Sequence, residues 1–124
     1  MLNSQNQETI CALSTANGMG AIAVIRVSGE DALEITSQIF SKDLTTKASH
    51  TAHFGVIKDD NDTLIDEVLI TVFHKGKSFT GEATTEIACH GSVFIQETIL
   101  KLLLNKGCRM AASSEFTMRS FFKG

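Results

Sequence analysis

The run "AIAVIRVSG", residues 21–29, most constrains the fold, because it follows two closely spaced glycines. Gly18–Ala23 matches the G-x-G-x-x-A pattern of a dinucleotide-binding loop, which must lead straight into a helix. The residues that follow are instead rich in valine and isoleucine, which favour a strand. The acidic residue that such a site needs about 20 residues further on is also missing, since Gln38 lies there. The sequence therefore predicts two strands joined by the glycines.

Hydrophobic periodicity divides the rest of the chain into alternating strands and helices. A helix is predicted from about Glu30 to Phe40, with Ser28 and Asp31 in capping-box spacing, and a second helix over residues 92–107. The polar segment "DDND", residues 59–62, predicts a hairpin turn. The predicted order is β-β-α-β-β-β-α-β-α, which contains hairpins as well as crossovers. This order favours an α+β domain, a mixed β-sheet with about three helices.

Length and charge limit the classes of protein to which the chain can belong. A chain of 124 residues is expected to form one domain, residues 1–124. Its net charge of −3 argues against a broad nucleic-acid surface. It has neither an apolar run long enough for a membrane span nor a signal peptide, so we expect a cytoplasmic protein. The apolar pair Phe121 and Phe122 so near the end suggests a fragment of a longer protein.

Cysteine and histidine positions provide no strong catalytic or metal-binding pattern. Cys11, Cys89 and Cys108 are an odd number without a C-x-x-C pair, so we expect buried thiols rather than disulfides or a zinc site. His90 could act as a ligand or a general base, although a histidine between a strand and a helix more often caps or packs. Cys89 and His90 are adjacent on a strand and point to opposite faces. We therefore assign no catalytic residue and no metal ligand.

Arg26 is the most informative side chain, because it interrupts an apolar strand. A charged group in such a place needs either an ion-pair partner or a polar ligand. Glu86, in the strand-like segment "TTEIACH", is a natural partner. An arginine and a carboxylate on one sheet could also hold a planar heterocycle such as a pterin, because a carboxylate accepts paired N–H donors and a guanidinium donates to carbonyls or carboxylates. Both interpretations remain open on these residues alone.

Four short motifs resemble, in order and spacing, the N-terminal domain of the MnmE (TrmE) family of tRNA modification GTPases. They are "IRVSG", "SFTGE", "EIACHG" and "EFTMRSFFKG". The resemblance implies a fold like the folate-binding domains of aminomethyltransferases, a bound tetrahydrofolate derivative (5-formyl- or 5,10-methylene-tetrahydrofolate) and a homodimer formed through this domain. It places the family's folate-binding arginine and glutamate on Arg26 and Glu86. A third binding residue, a lysine, would lie one position beyond Gly124.

The resemblance covers only the first domain of a longer protein. In the family a helical domain and an inserted G domain follow, and the G domain uses GTP, K⁺ and Mg²⁺. With an FAD-dependent, MnmG-like partner, the whole protein modifies the wobble uridine of certain tRNAs. These 124 residues contain no G-x-x-x-x-G-K-[ST] loop, so the chain alone is not expected to hydrolyse GTP.

Two alternatives to this function remain at the level of the sequence. The chain could be a purely structural self-association module in which Arg26 and Glu86 form an internal ion pair. It could also be a fragment of a free-standing, folate-dependent aminomethyltransferase.

Overall fold

The computed structural model describes residues 8–15 and 21–123, and for residues 121–123 it describes the backbone alone. In this part of the chain, strands and helices follow one another in the predicted order. The strands are β1 Ile10–Leu13, β2 Ile22–Ser28, β3 Thr51–Lys58, β4 Leu64–Phe73, β5 Thr84–His90 and β6 Arg109–Met110. The helices are α1 Ala32–Ile39, α2 Val93–Asn105 and α3 Glu115–Lys123. None of the described helices is long and apolar enough to span a membrane.

The apolar run after the glycines forms β2, where a dinucleotide-binding loop would require a helix. β2 pairs with β1 in antiparallel register, so the predicted pair of strands is confirmed. Gly18 and Gly20, which were predicted to join them, lie outside the described residues.

The six strands form one mixed sheet in the order β3-β4-β5-β2-β1-β6. β1 and β6 run parallel, whereas the other neighbours are antiparallel. β3 and β4 form the predicted hairpin, and its turn is held by Asp59, whose carboxylate accepts hydrogen bonds from the backbone N–H groups of Asn61 and Thr63. The predicted α+β class is confirmed.

Helices α1 and α2 cover one face of the sheet and enclose the hydrophobic core. Along β2 the side chains alternate, and Ala23, Ile25 and Val27 point toward the helices. Side chains of both helices and of five strands meet there. They include Ile35, Val68, Ile70, Ile87, Ile99, Leu103 and the three cysteines. The cysteines are buried and free, as predicted.

The opposite face of the sheet is partly open and carries an apolar row across four strands. The row consists of Phe54, Leu69, Ala88 and Val24, which are cross-strand neighbours in register. Phe54 is 60% exposed and Leu69 is 43% exposed. Arg26 lies on this same face, two positions beyond Val24. Helix α3 approaches the face near β2, where its Phe116 lies beside Arg26.

The predicted capping box at the start of α1 is wrong. Ser28 is the last residue of β2 and is fully buried, with its hydroxyl within 2.6 Å of Thr80 Oγ1 and donating to Glu82 Oε1 at 3.1 Å. Asp31 occupies the N-cap position and its side chain makes no capping hydrogen bond. The Ser28 hydroxyl therefore binds Thr80 and Glu82 in the loop before β5, and it does not cap the helix as its local spacing predicted.

Candidate functional site

Strand pairing brings Arg26 and Glu86 together. β2 and β5 are neighbours, and in their antiparallel register Arg26 lies directly opposite Glu86. Side chains that face each other across two strands have Cβ atoms about 5 Å apart, so long polar side chains can meet. The two predicted residues therefore lie side by side on the partly open sheet face.

The pair is close but only half-buried. Arg26 Nε donates to Glu86 Oε2 at 3.0 Å, and Arg26 Nη2 lies 2.9 Å from the same oxygen. The side chains are 21% and 30% exposed, respectively. Arg26 is thus not a core arginine, because its strand faces the helices only with alternate residues. Since both contacts use Oε2, the other oxygen of Glu86 has no hydrogen-bond donor among the described residues.

Two phenylalanine rings lie beside the Arg26 guanidinium. Its central carbon is 5.4 Å from the ring centroid of Phe79 and 5.4 Å from that of Phe116. This separation is within the range of a cation–π contact. Phe79 belongs to the loop between β4 and β5 and is 56% exposed, whereas Phe116 is on α3 and is half-buried. Flat aromatic walls beside a guanidinium can hold a planar ligand.

A cavity of about 430 Å³ opens beside these groups. Arg26, both rings, the end of β1 and residues 111–117 line it. This volume is within the range of small-molecule sites, about 300–1,000 Å³. Glu86 is not among the lining residues, so Arg26 lies between the cavity on its β1 side and Glu86 on its β5 side. A ligand that touches both charged groups must therefore extend across Arg26.

A buried polar network supports the site from one side. Arg119 Nη1 donates to Glu82 Oε1 at 2.9 Å, and both side chains are less than 10% exposed. Arg119 Nη2 also donates to Glu115 Oε2 at 3.2 Å. Glu115 in turn accepts two hydrogen bonds from Arg109, at 2.6 and 3.1 Å. The network joins α3 to the loop before β5 and to β6.

Glu115 is held in its ionised form within this network. Burial by itself raises the pKa of Glu115, but hydrogen bonds from Arg109 and from the backbone N–H of Ala112, together with the charges of Arg109 and Arg119, outweigh it. The pKa of this carboxyl therefore lies below its usual value. The same pairing raises the pKa of Arg109.

The other histidine and cysteine candidates lie away from this cavity. His90 is exposed, and its Nδ1 lies 2.7 Å from Asp66 Oδ1 while its backbone N–H donates to Asp66 Oδ2. Cys89 points into the core whereas His90 is exposed, which confirms the prediction that they lie on opposite faces of the strand. Burial, and secondarily the charge of Asp66, raises the pKa of the Cys89 thiol to about 11. This thiol is therefore protonated at neutral pH, which disfavours a nucleophilic role.

Sequence reasoning missed the aromatic pair and the buried network. Phe79 and Glu82 lie in "SFTGE", and Phe116 and Arg119 lie in "EFTMR", both of which entered only as family motifs. One signal was present, because Phe116 and Arg119 are three residues apart on a helix and so lie on nearly the same side. That the aromatic rings flank Arg26 depends on contacts between distant segments.

Comparison with known proteins identifies the family. A family model described as "GTP-binding protein TrmE N-terminus" matches residues 9–124. The chain belongs to this family. The predicted family and its α+β class are thereby confirmed.

Curated relatives of this TrmE N-terminal chain are named tRNA modification GTPase MnmE. The relative from Flavobacterium johnsoniae is 54% identical over 123 residues, which cover 96% of this chain and 26% of the relative. The relative from Porphyromonas gingivalis is 50% identical over 129 residues, covering 100% of this chain and 27% of the relative. The relative from Bacillus cytotoxicus is 47% identical over 119 residues. The chain spans about a quarter of the length of these proteins.

Proposed function

We propose that this chain is the tetrahydrofolate-binding, self-associating N-terminal domain of a tRNA modification GTPase. The observation that carries the folate proposal is the side-by-side placement of Arg26 and Glu86 next to a cavity with two aromatic walls. A second observation, the apolar row on the open sheet face, supports self-association.

The residues fit the chemistry of a tetrahydrofolate. A pterin ring presents adjacent N–H donors and a carbonyl on a flat heterocycle. Glu86 can accept N–H donors, since Oε1 has no donor among the described residues, and the Arg26 guanidinium can donate to a carbonyl or a carboxylate. Phe79 and Phe116 offer apolar faces against which a flat ring can stack. When bound, the cofactor supplies a one-carbon unit, and these four side chains hold and orient it.

Titration calorimetry with 5-formyltetrahydrofolate tests the folate proposal. We expect binding by a chain extended past Gly124 to include the expected lysine, and weaker binding after Arg26→Ala or Glu86→Gln. Lys106→Ala is the matched control, because Lys106 forms an ion pair with Asp60 in the β3–β4 turn and neither residue lines the cavity. Absence of heat for the extended chain, in a sample shown to be folded, would rule out folate binding.

The structural alternative makes a different prediction for the same variants. If Arg26 and Glu86 serve only as an internal ion pair, either substitution should lower stability strongly. The pair is a fifth to a third exposed, and exposed pairs contribute only about 0–1 kcal/mol. We therefore expect melting temperatures to fall by only a few degrees while folate binding is lost. A large loss of stability with folate binding retained supports the structural alternative.

Self-association is tested on the apolar row. Phe54→Glu replaces the most exposed side chain of the row with a charged one. We expect the variant to shift from dimer to monomer in analytical ultracentrifugation. Lys58→Glu, on the same strand but outside the row, is the control. An unchanged dimer in the Phe54 variant places the interface elsewhere, and a wild-type monomer removes the proposal.

We further propose that the longer protein containing this domain acts in the cytoplasm, with an MnmG-like FAD protein, on the wobble uridine of tRNA. Its G domain would use GTP, K⁺ and Mg²⁺. The printed name of the relatives, tRNA modification GTPase MnmE, supports the GTPase and tRNA-modification parts of this proposal. The residues encoded after Gly124 provide a direct test, because a Walker A loop is expected there. A gene that continues without one favours a folate-dependent aminomethyltransferase instead.

A further inference from the structure

Each ring beside Arg26 lies three residues before a member of the buried ion pair. Phe79 precedes Glu82 in the loop before β5, and Phe116 precedes Arg119 on α3. On a helix, residues three apart lie on adjacent turns of nearly the same side. Where Arg119 is anchored therefore determines where the Phe116 ring lies.

The loop that carries Phe79 is closed on itself and attached to the network. Gly76 N–H donates to the carbonyl of Gly81 at 2.8 Å, and the Ser78 hydroxyl donates to the carbonyl of Glu82 at 2.5 Å. Phe79 thus lies inside a short turn that is closed between Ser78 and the buried Glu82. The Glu82 backbone closes this loop and the Glu82 carboxylate binds Arg119, so the loop and the ion pair share one residue.

The Glu82–Arg119 ion pair is buried, whereas Arg26 and Phe79 are accessible. The Glu82 and Arg119 side chains are 9% and 6% exposed, compared with 21% for Arg26. Ser28, two residues after Arg26 on β2, donates a hydrogen bond to Glu82 Oε1 at 3.1 Å. Loop, helix and strand therefore converge on one carboxylate, in surroundings where a hydrogen-bonded ion pair has a strict geometry.

We infer that Glu82 and Arg119 are positioning residues, which hold the Phe79 and Phe116 rings beside Arg26 so that a planar ligand can enter. Neither residue lines the cavity, so they act through the rings and not by contact with the ligand. The inference rests on the proposed folate binding for its affinity readout, and it has a second readout that needs no ligand.

Affinity for 5-formyltetrahydrofolate is the first readout, measured on the chain extended past Gly124. Glu82→Gln keeps the shape of the side chain and removes its charge, and Arg119→Lys keeps the charge and removes the planar fork. For either variant we expect the dissociation constant to rise about tenfold, because misplaced site groups lose their alignment with the ligand. Val68→Ala is the control. It removes buried methyl groups on the helix-covered face, so it should lower stability and leave the dissociation constant unchanged.

Fluorine NMR of protein labelled with 4-fluorophenylalanine is the second readout. Phe79→Leu and Phe116→Leu assign the two signals, and Arg26→Met should shift both because the guanidinium lies over both rings. We expect Glu82→Gln and Arg119→Lys to shift or broaden both signals, and Val68→Ala to leave them in place. Ser28→Ala is the milder variant if the charged ones do not fold, and it should change the signals in the same direction.

The two readouts separate the possible outcomes. Unchanged ring signals in folded Glu82 and Arg119 variants overturn the positioning role, whatever the affinity. If the rings move but folate affinity does not, the positioning role in binding is also overturned. If the wild-type chain binds no folate, the proposed function fails, and the ring signals alone decide whether the ion pair orders the aromatic walls.

Discussion

Removing the guanidinium of Arg119 should cost far more stability than removing that of Arg26, although the two substitutions are chemically the same. Each arginine pairs with a glutamate at 2.9 Å. Arg119 and Glu82 are less than 10% exposed, whereas Arg26 and Glu86 are 21% and 30% exposed. Methionine replaces either side chain with an unbranched apolar one, which isolates the loss of the charged group.

The expected magnitudes follow from solvation. Arg119→Met leaves the Glu82 carboxylate buried without its main charged partner, which costs about 3–5 kcal/mol of unfolding free energy. Arg26→Met leaves Glu86 in contact with water and removes two partly exposed cation–π contacts, about 1–2 kcal/mol together. In a domain of this size the first change lowers the melting temperature by about 10–20 °C and the second by only a few degrees.

Urea unfolding, followed by far-ultraviolet circular dichroism at neutral pH, measures the difference. Both variants should keep the wild-type dependence on urea, so that a change in midpoint reports stability. If Arg119→Met falls so low that its folded baseline is lost, Glu82→Gln provides the smaller perturbation of the same pair. Equal losses for the Arg26 and Arg119 variants would refute the argument from burial.

Three further predictions concern pH, backbone conformation and thiol chemistry. Because the pKa of Glu115 is lowered in the folded state, its contribution is present above the unfolded carboxyl value, about 4.3, and is lost as the pH falls through the folded value. Urea midpoints of wild type and Glu115→Gln should therefore differ at neutral pH and converge in acid; a constant difference contradicts this. Gly29→Ala should destabilise the fold strongly, because φ is +146° and a Cβ would lie 2.6 Å from the Cα of Thr9. Gly76 has φ +85° and open space around it, so Gly76→Ala should lower the unfolding free energy by only about 1–2 kcal/mol in thermal melts. Cys89, with a pKa of about 11, should react with iodoacetamide at mildly alkaline pH only after unfolding, and rapid labelling of the native protein would contradict its burial.

The order of strands and helices could be predicted because it depends on local patterns. The β-branched run of β2 and the helical spacing of Ile95, Ile99 and Leu102 in α2 each favour one structure whatever surrounds them. The predicted capping box at Ser28 is wrong because tertiary contacts override the local pattern. Its spacing is a local pattern, but Thr80 and Glu82, more than 50 residues away, take the hydroxyl.

The sequence by itself determined the family and the α+β class, and it predicted Arg26 and Glu86 as candidate site residues. It could not tell whether Arg26 is a core arginine or lies on an open face, because that depends on which side of β2 the helices cover. Tertiary structure decided this point, and it also brought Phe79 and Phe116 beside the guanidinium and formed a buried ion pair between residues 37 positions apart. The physical reason is that a charged group's environment is set by whatever packs on it, and packing joins segments whose relation no local pattern contains.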